Sequence, residues 1–107
     1  MPKMFIKVED VKEGRTYFFE WSTISDEPNS DAVEGEKDFE TLHWTLKANL
    51  CKNKAEWKKL FKEDLANLNE GNVSNPDYTR KELLDCSDEY KTLKSLVAYA
   101  KANLIQY

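Results

Sequence analysis

Leu42-His43-Trp44-Thr45-Leu46-Lys47-Ala48-Asn49-Leu50 is the stretch on which the fold turns. Every even position is apolar and every odd position polar, the period-two pattern of a strand with one face in water. A helix would scatter those apolar residues around its circumference. Residues 41–50 are therefore expected to form a strand, with Trp44 on its buried side and His43 on its wet side.

Toward the N-terminus, Met4, Ile6 and Val8 alternate with Phe5 and Lys7, which predicts a strand over about 4–9. Past Gly14, the run Thr16 to Ile24 is rich in β-formers, and Tyr17, Phe19 and Trp21 share a face, giving a second strand over about 16–24. The two are expected to pair as an antiparallel hairpin, with 41–50 as the third strand. Phe18 and Ile24 fall on the opposite face, so the outer side of this sheet is either covered by the chain or binds something. An edge strand of such a sheet could also pair with a second copy to make a homodimer.

Toward the C-terminus the period changes. Asn53-Lys54-Ala55-Glu56 has capping-box spacing, and Trp57, Leu60, Phe61, Leu65 and Leu68 recur at three and four residues until Glu70-Gly71-Asn72, predicting a helix over about 54–69. Thr79 and Glu82 repeat the capping spacing ahead of Leu83 and Leu84, for a short helix over about 79–85. Ser87-Asp88-Glu89 opens a last helix, about 88–105, with Tyr90, Leu93, Leu96, Val97, Ala100 and Leu104 along one face. Strands first and helices after them indicate the α+β class: a three-stranded antiparallel sheet followed by two to three helices packed on one face.

At 107 residues, 40% hydrophobic and 34% charged, the chain is expected to fold as one domain, 1–107, that buries a core without a disulfide or a structural metal. Cys51 and Cys86, with no CxxC and no Cys/His pairing, read as free thiols. No apolar run approaches the ~20 residues that span a bilayer, and the start of the chain lacks the apolar stretch of a signal peptide. A cytoplasmic, non-membrane protein is the expectation.

The net charge of −4 is concentrated in one place. Residues 25–40 hold seven acids, Asp26, Glu27, Asp31, Glu34, Glu36, Asp38 and Glu40, against Lys37 alone, so this segment carries −6 and the rest of the chain +2. With Pro28, Gly35 and no period, it reads as a long acidic surface loop. The opposite sign sits on the 54–69 helix, where Lys54, Lys58 and Lys62 lie four apart with Lys59 beside them. The acidic segment could fold over this lysine flank as an internal pair.

Catalysis has little to work with. His43 is the single histidine, and on an extended strand at about 3.3 Å per residue it stands roughly 26 Å from Cys51, which removes that dyad. There is no Gly-rich phosphate loop, no G-x-S-x-G, no H-E-x-x-H and no calcium-loop spacing, so no enzyme, metal or cofactor is expected. The features fit a small non-catalytic protein-binding module that sets its acidic patch on a basic surface of a larger protein. Inhibitors and adaptors of phages and mobile elements share this general character. The alternative is a nucleic-acid-binding accessory protein that uses Lys54, Lys58, Lys59 and Lys62. That alternative is weakened by the expected burial of Trp44 and Trp57 and by the presence of two arginines only, Arg15 and Arg80.

Overall fold

The computed structural model describes residues 3–107. A long hairpin organises them. β1 (Lys3–Asp10) runs antiparallel to β2 (Arg15–Ser22), with Lys3 opposite Ser22 and Asp10 opposite Arg15. Gly14, at φ +66°, supplies the left-handed residue of the turn. Two short strands line the other edge of β2: β3 (Glu27–Pro28) beside Trp21 and Ser22, and β4 (Val33–Glu34) beside Tyr17 and Phe18. Between them Asn29 N–H donates to Glu20 O (2.8 Å) and Glu20 N–H to Ser30 Oγ (2.9 Å).

The outer edge of β1 is closed as well. Lys7 N–H donates to Asn72 O and Ser74 N–H to Phe5 O, both at 3.0 Å, while Phe5 N–H donates to Ser74 Oγ at 2.8 Å. Backbone groups that could template another chain are thus taken along residues 5–7 and 17–22. A homodimer through an edge strand has no open ladder to use there.

Residues 41–50 are not a strand. They belong to α1 (Gly35–Lys47) and a 3-10 turn, Ala48–Leu50. The side chains that decide this are Phe39, Leu42, His43, Leu46 and Lys47, which recur at three and four residues and face inward. His43 and Lys47 are buried through specific partners, so a pattern that scores them as polar points to the wrong period. Gly35, at φ +84°, turns the chain from β4 into α1, and Glu36 and Asp38 lie in the first helical turn, where negative charge favours the helix. Segment 25–40 is accordingly β3, β4 and the start of α1, not a long loop.

The remaining helices follow the capping signals. α2 (Lys54–Gly71) is capped by Asn53, whose side chain accepts from Glu56 N–H at 2.8 Å, and ends on Asn72 in the left-handed conformation, φ 67°. α3 (Arg80–Cys86) is capped by Thr79. α4 (Leu93–Ala102) starts later than the sequence pattern indicates, on a reciprocal cap between Thr92 and Ser95, because Ser87 Oγ instead accepts Tyr90 N–H in a local turn.

The fold is α+β, a short antiparallel sheet followed by several packed helices. The helices cover both faces of the hairpin rather than one. Met4, Ile6, Val8, Tyr17, Phe19 and Trp21 pack with Leu83, Leu84, Leu96 and Ala100 of α3 and α4. Phe5 and Phe18 pack with Phe39, Leu42, Trp57, Phe61 and Leu68 of α1 and α2. β2 is apolar on both sides for this reason. No helix among the described residues is long and apolar enough to cross a membrane.

Candidate functional site

The α1/α2 face holds a polar network inside an aromatic cluster. Phe39 stacks on Phe18 (centroids 4.6 Å) and meets Phe5 and Phe61, and His43 stacks on Phe5 at 5.0 Å. His43 is fully buried. Its Nδ1 accepts the Trp57 indole N–H at 2.9 Å, and its Nε2 lies 2.8 Å from Asp64 Oδ2. An indole N–H can only donate, so Nδ1 must be unprotonated and Nε2 must carry the hydrogen given to Asp64. The ring is therefore neutral with both nitrogens committed, and has no free nitrogen to take a proton from a substrate.

The sequence pattern puts His43 on a wet strand face; it sits instead at the centre of a core, one helical turn from Phe39. One turn further along α1, Lys47 Nζ meets Glu20 Oε2 of β2 at 2.9 Å, with both side chains almost wholly buried. The second Glu20 oxygen accepts from Asn29 Nδ2 at 2.8 Å, and Nζ lies 5.5 Å from the Phe5 ring centroid. Every strong charge in this pair is answered, which is what permits its burial. No sequence motif signals either network, because Asp64 and Glu20 are joined to α1 by the tertiary fold alone.

Beside these networks runs a groove of about 610 Å³ between the start of β1, Leu50 and Cys51, α2, and the turn at 74–76. Lys47 and Asp64 reach its wall already bonded to Glu20 and His43. Both cysteines are free thiols, Cys51 half-buried on this groove and Cys86 exposed at the end of α3. Among the described residues, no group of three His, Cys, Asp or Glu side chains is arranged to hold a metal ion.

On the outer side of the same helix pair, Trp44 is 44% exposed. It stands edge-on to Trp57, with centroids 4.8 Å apart and planes at 88°. The sequence expectation reverses here: Trp44 is at the surface, and Trp57 alone of the two is in the core. Glu40, Thr41, Trp44, Lys54 and Trp57 line a shallow hollow of about 310 Å³.

The seven acids do not form one patch. Asp26 occupies the β2–β3 turn at φ 54°, Glu27 lies on β3, and Asp31 precedes β4. Asp31 and Glu27 lie near Tyr99 of α4 and Glu27 near Tyr90 ahead of it: burial first, then the charge of Asp31, pushes the Tyr99 hydroxyl up, and burial, then Glu89 and Glu27, does the same to Tyr90. Glu34, Glu36, Asp38 and Glu40 instead occupy the N-terminal half of α1 and its cap. Only Glu34 of the seven meets a cation among the described residues, Arg15 at 3.7 Å. Lys54, Lys58, Lys59 and Lys62 are exposed on α2 and make no ion pair there, so acidic segment and lysine flank do not pair within the chain.

No protein-family model, curated protein or solved structure matches the chain.

Proposed function

We propose that this chain is a non-catalytic protein-binding module, of inhibitor or adaptor type, that docks acidic surface residues on a basic face of a larger protein. The observation that carries this reading is that six of the seven carboxylates of 25–40 meet no cation among the described residues, whereas the buried Lys47 and Glu20 meet each other at 2.9 Å. Exposed like charges contribute little to a fold, but they raise association rates with an oppositely charged partner and exclude wrong ones. The commitment of both His43 nitrogens and of the Lys47–Glu20 pair to internal bonds further favours binding over chemistry.

The test is affinity capture of the tagged chain from its native host. A stoichiometric protein partner is expected at low salt, weakened at high salt. It should be lost when Asp26→Asn, Glu27→Gln and Asp31→Asn, the acids around β3, are combined. A partner retained by the combined variant would rule out the acidic-residue mechanism.

A second reading rests on the exposure of Trp44 next to the lysines of α2, which offers a stacking surface with positive charge beside it. Single-stranded oligonucleotides should then shift in a salt-dependent way through Lys54, Lys58, Lys59 and Lys62. No shift at low salt eliminates it.

A further inference from the structure

The face that carries Trp44 holds both signs of charge, and neither is used in an ion pair among the described residues. Glu40 of α1 and Lys54 of α2 line the same hollow, yet no ion pair joins them. One turn before Glu40 is Glu36, and one turn after Lys54 is Lys58, both exposed and both unpaired among the described residues. Lys37 is also exposed on α1 but does not line the hollow. Trp44 is flanked by an acidic helix start and a basic helix start.

Trp44 is also held in place. It rests edge-on against Trp57, and Trp57 is fixed by its N–H bond to His43, itself tied to Asp64. A half-exposed, rigidly supported tryptophan with unpaired charges around it has the composition of an interface centre.

The arrangement of charge selects the occupant. A uniformly basic partner would meet Lys54 as a like charge, and a uniformly acidic one would meet Glu40. A second copy of this chain meets neither problem. A two-fold axis passing through the Trp44 face sets the two indoles together and exchanges the poles, so that the acid of each copy opposes the base of the other.

We infer that the Trp44 face is a self-association surface, on which two copies pair about a two-fold axis with Glu40 of each facing Lys54 of the other. Glu36 and Lys58 extend the same complementarity by one helical turn. The edges of β2 and of the middle of β1 play no part, since they are closed within each chain. The patch is one aromatic wide, well below a standard interface, so the dimer is weak and forms only at high protein concentration. This inference needs no other protein; it uses Glu36 and Glu40, so a basic partner docks through Asp26, Glu27 and Asp31 around β3, and the two readings fail separately.

Sedimentation equilibrium of the purified chain at low ionic strength, from about 10 μM to about 1 mM, tests it. The wild type should pass from monomer to dimer across that range, and Trp44→Ala should stay monomeric. Glu40→Lys or Lys54→Glu alone should weaken association about tenfold, because like charges then face each other. The two combined should restore it, since exchanging both poles keeps the surface complementary to itself. These two positions are exposed, so far-UV circular dichroism should report an unchanged fold even if Trp44→Ala is destabilising. A wild type that is monomeric at the highest concentration overturns the inference. So does a dimer that survives Trp44→Ala, or a double variant that associates no better than the single ones.

Discussion

The two faces of the hairpin are covered by different kinds of layer. On the α1/α2 side the core is aromatic and contains polar groups, but each has a partner: His43 with Trp57 and Asp64, Lys47 with Glu20. On the α3/α4 side the helices are shorter, 7 and 10 residues, and the Trp21 indole N–H is fully buried without a partner among the described residues. A satisfied polar network fixes geometry, whereas an unpartnered buried donor is a standing cost. The side that props up Trp44 is the side built for precision, and the other chiefly closes the core.

Substitutions can probe that contrast. The largest effect is expected for Phe39→Ala, which removes the ring shared by Phe5, Phe18, His43 and Phe61 and should cost about 3–5 kcal/mol in urea unfolding. Lys47→Met strands the buried Glu20 carboxylate and should cost about 3 kcal/mol, while adding Glu20→Leu should recover much of that loss. A double variant no more stable than the single one would show that the pair stabilises beyond mutual compensation.

The same substitution on the two faces sharpens the comparison further. Trp57→Phe and Trp21→Phe remove equal volume from buried sites, but the first orphans His43 Nδ1 and the second deletes a donor that has no partner among the described residues. Trp57→Phe should be the more destabilising by about 1–3 kcal/mol. Equal losses would mean that the indole–imidazole bond contributes nothing.

A smaller effect is expected where α4 is tied to the hairpin turn. Lys101 Nζ lies 2.9 Å from Asp10 and 3.3 Å from Glu13, and its hydrogen bond holds the Asp10 carboxyl below the ordinary carboxylate value. A depressed carboxylate stabilises the fold above its unfolded pKa of about 3.9 and loses that contribution as pH falls through the folded value. Asp10→Asn should therefore be slightly less stable than wild type at neutral pH and converge with it in strong acid, as read by thermal melts across pH.

The hairpin, α2 and α3 were legible in the sequence because their signals are local. Alternation marks β1 and β2, Asn53 and Thr79 mark helix starts, and Asn72 marks a stop. α1 was not legible because its stripe begins at Phe39, inside what reads as an acidic loop, and passes through His43 and Lys47. Those two look like surface residues until Asp64 and Glu20 are brought to them. The buried network was hidden for the same reason, and so was the exposure of Trp44, which follows from the period of α1 rather than from any residue near it. The burial of β2 on both faces was hinted at by Phe18, and the structure supplies the cover.

The direct test of the fixed α1/α2 network is a nuclear magnetic resonance measurement of 15N–15N coupling through the Trp57–His43 hydrogen bond. A coupling between Trp57 Nε1 and His43 Nδ1 is expected, with His43 protonated on Nε2 and no such coupling from the Trp21 indole. A His43 ring protonated on Nδ1, with no coupling to Trp57, would contradict it.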